Sequence, residues 1–120
     1  MDAIRVTGIR FHGHHGVRED ERTFGQRFEV DVELGLDLTE AARGDDLGAT
    51  VDYAEVVKRV REAGRSTRYR LLEGFAGYVA EDLLRTFPVD RVRVLVRKVT
   101  PPIEGFWGQV EVEISREREG

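Results

Sequence analysis

With 120 residues the chain is long enough for one domain, residues 1–120, to bury about two thirds of its unfolded surface without disulfides or structural metal. It has no cysteine, which excludes disulfides, thiolate metal sites and a cysteine nucleophile. The 23 acidic and 19 basic residues are interspersed and leave a net charge of −4, which argues against a nucleic-acid partner; no apolar run reaches membrane-spanning length, and Asp2 and Arg5 break up the first apolar positions, so no signal peptide is expected and a soluble, cytoplasmic protein is.

Ala3 to His12 reads as a strand whose apolar phase switches, Ile4 and Val6 on one parity and Ile9 and Phe11 on the other, and a bulge near Thr7-Gly8 reconciles them. A loop, Gly13 to Val17, and a charge run, Arg18 to Arg22, follow. From Gln26 the alternation is strict: Phe28, Val30, Val32, Leu34, Leu36 and Leu38 face one way and charged residues the other, as in an antiparallel strand with one apolar face. After a polar turn at Gly44-Asp45-Asp46, Asp52 is positioned to cap a helix, with Glu55 completing a capping box and Val56, Val57, Val60 and Ala63 buried before an end near Gly64. A second helix over Leu71–Phe87, stopped by Pro88, buries Leu72, Phe75, Ala76, Val79, Ala80 and Leu83. Two more strands complete the chain, Val89 to Val99 and one with Val110, Val112 and Ile114 inward. The order is ββααββ: an α+β domain with a four-stranded antiparallel sheet, two helices on one face and an Arg/Glu lattice on the other. Two free sheet edges invite pairing with other copies, and closing such sheets into a β-barrel ring would surround a wet tunnel with the charged faces.

Four side chains stand out, each with two readings. Glu73, in the first turn of the second long helix and on the flank of its apolar stripe, is either a capping carboxylate or one that stays ionised in a half-buried place and grips a cationic or amide-like ligand edge. Lys98 has the inward parity of a valine strand at the strand's end, so it either snorkels outward or serves as a base. Tyr53 is a packed aromatic or a site hydroxyl, and Glu21 a solvated loop acid or a site carboxylate. The histidines His12, His14 and His15 suggest metal, but no His or Cys lies elsewhere in the chain to complete a zinc site, so no metal is expected.

Taken together, Gly8-Ile9-Arg10-Phe11, Gly13-His14-His15-Gly16, Glu21 ahead of Gly25-Gln26, Val30-Asp31-Val32, Asp37-Leu38, Ala41-Ala42, Thr50-Val51-Asp52-Tyr53, Leu71-Leu72-Glu73, and Lys98 before Pro101-Pro102-Ile103 occur in an order and spacing that resembles the dihydroneopterin aldolase family over essentially the whole chain. The chain departs from the family's pattern at Val99-Thr100, Glu104 and Phe106-Trp107, beside Lys98.

The resemblance implies the tunnelling fold, in which subunits form a ring and two rings commonly stack into an octamer, with pterin sites between subunits. It implies that Glu73 accepts hydrogen bonds from the pterin 2-amino group and N3–H. The backbone of Leu72, and that of Val51 from a neighbouring chain, would complete the polar edge, with the neighbour's Tyr53 by the substrate and Glu21 near Lys98 and the substrate side chain. The activity implied is cofactor-independent retro-aldol cleavage of 7,8-dihydroneopterin in folate biosynthesis, with Lys98 as general acid/base and Tyr53 as proton donor, and some epimerisation at the 2′ carbon. A dihydroneopterin triphosphate 2′-epimerase is the alternative within the fold. A zinc-dependent pterin synthase would need a third, separated His, and a non-catalytic pterin-binding module is the reading from another class.

Overall fold

Alternating apolar residues give the sheet its two faces and fix which one receives the helices. A computed structural model of the chain describes residues 1–119. Strands β1 (Asp2–Gly13), β2 (Gln26–Leu36), β3 (Arg91–Lys98) and β4 (Val110–Glu117) form one antiparallel sheet in the order β1-β2-β3-β4. The bulge falls where the phase of β1 changes: Val6 pairs with Val32 and Ile9 with Val30, so Thr7 and Gly8 together oppose Asp31. Gly8 has a φ of 75°, open to glycine at little cost, and its N–H donates to Asp31 Oδ1 at 2.8 Å.

The inner face of β2 is fully apolar, with Phe28, Val30, Val32, Leu34 and Leu36 all buried. Two long helices cover it, which we label α3 (Tyr53–Ser66) and α4 (Leu72–Thr86); α3 packs on β1, and α4 on β3 and β4. Phe75, Ala76, Val79, Ala80 and Leu83 of α4 sink into the core, as their helical spacing requires. The outer face carries the charged lattice. Arg97 reaches Glu29, Asp31 and Glu111, while Glu33 receives Arg5, Arg91 and Arg93.

Several boundaries differ from expectation. The charge run is a short helix, α1 (Glu19–Phe24), and the polar turn caps the end of another, α2 (Thr39–Gly44), and is followed by a 3-10 turn at Leu47–Ala49. Six residues are too few to display an apolar stripe, so periodicity could not reveal either helix. Asp52 caps α3 by accepting the Ala54 N–H at 3.0 Å, but Glu55 makes no reciprocal bond; its own N–H goes to the Asp52 carbonyl. Helix α3 runs past Gly64 to Ser66 because Gly64 is a contact point, not a stop: a Cβ there would sit 2.4 Å from the Phe11 ring. Leu38 and Val89 fall just outside β2 and β3.

Sequence reading passed over the buried Asp82. Its carboxylate takes both Arg59 Nε and Nη2, at 2.6 and 2.9 Å, and also Arg85, stapling α3 to α4.

Candidate functional site

Inward parity places Lys98 opposite Phe28 at the end of β3, beside apolar neighbours, where a lone ammonium would be poorly solvated. It does not snorkel outward: Nζ lies 2.7 Å from Glu21 Oε2, with only 14% of the lysine side chain and 7% of the glutamate side chain exposed. Glu21 is therefore not a solvated loop acid. As the third residue of α1 it turns back, accepting the Arg18 N–H at 3.2 Å and the Gln26 side-chain amide at 2.7 Å. Burial on its own would raise the Glu21 carboxyl, but the hydrogen bonds from Lys98, Gln26 and the Arg18 amide outweigh it and hold the acid below its ordinary range.

The pair opens into a crevice of about 370 Å³ whose walls also include Leu72, Glu73 and Ile103. That volume suits one small ligand. Glu73 stands in the first turn of α4 and is exposed in the single chain, not half-buried as expected. Only another molecule laid against this side could desolvate it. A larger open hollow of about 660 Å³ lies over α2 between Asp37, Thr39, Arg43 and Asp46, and brings together none of the residues singled out above.

Tyr53 and Val51 do not line the crevice. Tyr53 is 66% exposed and Val51 is buried at the approach to α3. The reason is axial. Gly64 of α3 packs on Phe11, Phe11 stacks on Phe28, and Phe28 is the register partner of Lys98. Tyr53 lies eleven residues back along the helix, about 17 Å from that layer at 1.5 Å per residue. One chain cannot bring its own Tyr53 to its own Lys98.

The histidines split, with the His12 and His14 rings edge to face at 5.4 Å and His15 turned away into the core. His12 and His14 bond the carbonyls of Phe24 and Arg22, at the end of α1, while His15 is wholly buried between the Gly64 carbonyl and the Tyr69 amide. Among the described residues no three His, Asp or Glu side chains gather as a metal set would. The core position of His15 and the crevice positions of Arg18 and Arg70 carried no mark in the sequence. They lie in irregular segments, where no periodicity marks an inward side chain.

An antiparallel four-stranded sheet with two long helices on one face, and an acid–amine pair opening beside a second carboxylate at the head of a helix, is the tunnelling fold. The dihydroneopterin aldolase (FolB) family model matches residues 4–115. The dihydroneopterin aldolase of Streptococcus pyogenes serotype M18 is 40% identical over 119 residues, 98% of this chain and 100% of that one. The Bacillus subtilis enzyme of the same name is 39% identical, with 98% and 99% covered. The solved Escherichia coli dihydroneopterin aldolase in complex with neopterin superposes with a TM-score of 0.88 at 29% identity, covering 97% of this chain and 99% of that one. The chain belongs to the dihydroneopterin aldolase family, and it is an aldehyde-lyase.

Proposed function

We propose that the crevice binds 7,8-dihydroneopterin and that Lys98 and Tyr53 carry its cleavage to 6-hydroxymethyl-7,8-dihydropterin and glycolaldehyde. The supporting observation is the Glu21–Lys98 pair opening onto the same 370 Å³ crevice as Glu73. Glu73 presents two acceptor oxygens to the 2-amino and N3–H edge of a pterin, and the backbone of Leu72 extends that edge. The trihydroxypropyl arm then points at Lys98.

Cleavage requires removal of the 2′-hydroxyl proton. The C1′–C2′ bond breaks, its electrons move into the C6–N5 imine of the ring, and glycolaldehyde leaves. C1′ of the resulting enamine then takes a proton. Because the substrate carries its own electron sink, the amine has only proton transfer to perform, through a water, with Glu21 holding it in place. Tyr53 supplies the returning proton, and re-addition of glycolaldehyde through the other face of its own carbonyl, re-forming the C1′–C2′ bond, gives the 2′ epimer as a side product.

Tyr53 comes from a neighbouring copy, since the α3 ruler keeps it about 17 Å from the Lys98 layer of its own chain, and the Val51 backbone, two residues before it, comes with it. We therefore infer a ring of subunits, stacked as an octamer, with sites between copies of this single-domain chain in the cytoplasm. The test is incubation of chelator-treated protein with 7,8-dihydroneopterin and identification of the products by mass. Hydroxymethyldihydropterin and glycolaldehyde in equal amounts, unaffected by the chelator, are expected; chelator-sensitive turnover, or none, would overturn the reading.

A further inference from the structure

His15 is the largest polar side chain with no solvent exposure, and the reaction makes no use of it. Phe11, Phe28 and Phe75 surround it, the last stacked at 4.6 Å, so a phenylalanine would fill the same space. What a phenylalanine could not supply is one donor and one acceptor on opposite sides of the ring. Nε2 donates to the Gly64 carbonyl at 3.0 Å, and Nδ1 accepts the Tyr69 N–H at 3.0 Å. This pattern requires the neutral ring. Burial first, then the charges of His14 and Lys98, push the imidazolium form down against the opposing effect of the Gly64 carbonyl.

The next residue doubles the link, because the Gly16 N–H donates to the Tyr69 carbonyl at 2.9 Å. Both backbone groups of Tyr69 are thus held by His15 and Gly16. Each partner touches one wall of the crevice. On one side Glu21 lies directly over Gly16, where an added Cβ would come within 2.5 Å of the carboxyl carbon. On the other the Tyr69 ring lies over Gly74, beside Glu73, with 2.8 Å to an added Cβ. A continuous path of contacts therefore runs from Glu21 through Gly16, His15 and Tyr69 to the first turn of α4.

We propose that His15 is a positioning residue which, through the Nδ1 bond to the Tyr69 amide, sets the separation between the Glu21–Lys98 pair and Glu73 across the crevice. Its bond to Gly64 anchors the ring; its bond to Tyr69 fixes the distance between the two walls. The inference rests on the reading of the crevice as the pterin site.

Two substitutions separate the bonds. His15→Asn puts an oxygen near the position of Nδ1 and keeps the Tyr69 link, whereas His15→Gln puts its amide near Nε2 and keeps only the Gly64 link. Both lose the ring stacking, so both lower stability. A misplacement near 1 Å costs about 100-fold, so His15→Gln is expected to lose most of that factor in kcat/KM per folded site and His15→Asn to stay within about three-fold. Equal losses would overturn the proposal. Should neither variant fold, native-state amide exchange on the unmodified protein decides: saturating 6-hydroxymethylpterin should slow Gly16 and Tyr69 together by about ten-fold, and no slowing would overturn it. Failure of the unmodified enzyme to turn over dihydroneopterin counts against the functional reading instead, so the two failures are distinct.

Discussion

Breaking the Glu21–Lys98 pair from either side should cost nearly as much as removing it whole. At 2.7 Å between Nζ and Oε2, the attraction is about 4 kcal/mol for charge centres near 4 Å and an effective dielectric of 20. Lys98→Met leaves a carboxylate with 7% exposure and two remaining donors, Gln26 and the Arg18 amide; Glu21→Gln leaves an ammonium with 14% exposure and no counter-charge. Each single change is expected to destabilise the fold by about 3 kcal/mol, the lower end for a broken buried pair, because some partners and some solvent remain. The double variant holds no stranded charge and should cost about 2 to 3 kcal/mol less than the sum of the singles. Urea unfolding at pH 7 and one fixed chain concentration measures all four corners of the cycle, the concentration held because assembly adds to apparent stability. The sign with pH follows from the lowered Glu21 acid. The unfolded chain binds its proton first, so this contribution is present above the ordinary carboxyl value near 4.5 and is lost as pH falls below it. Additivity of the two singles within about 0.5 kcal/mol would refute the argument.

Three further outcomes are expected. Mixing and reassembling equal amounts of Lys98→Ala and Tyr53→Phe chains, each nearly inactive alone, should restore about a quarter of wild-type activity, since one in four interfaces then joins an intact lysine to an intact tyrosine; no recovery would place both groups on one chain. Gly16→Ala drives a methyl into the Glu21 carboxyl and should destabilise by about 1 to 3 kcal/mol in thermal unfolding. For His15, held neutral by burial, the unfolded chain binds a proton that the folded chain does not as pH drops below about 6.5. Stability should therefore rise with pH through that window by up to about 1.4 kcal/mol per unit, a slope that His15→Asn abolishes in urea titrations.

The strands and long helices were legible because each repeats its apolar residue at period 2 or 3.6 for long enough to count; even the bulge showed as a change of phase between Val6 and Ile9. Lys98 declared itself by the same means, as a charge at an inward position. Glu21 did not, since a glutamate inside a run of charges carries no sign of which way it faces until α1 folds. The exposure of Glu73 was hidden for a different reason: flank position on a helix fixes a direction, while burial depends on what lies over it. The buried places of His15 and Asp82 were invisible because their partners, the Tyr69 amide, the Gly64 carbonyl and Arg59, are distant in sequence or belong to the backbone.

The seat of α3 on the sheet, with the Phe11 ring against Gly64, leaves nothing but that ring between helix and strand at that point. Main-chain shape, and not the chemistry of the outward residues, therefore fixes where along the sheet the helix begins. Arg61, Glu62 and Arg65, all on the solvent side, are free to drift over generations without moving Tyr53. A change at Gly64, a residue with no side chain to offer any reaction, would displace the far end of the helix and so, in the proposed ring, be felt at a neighbour's site.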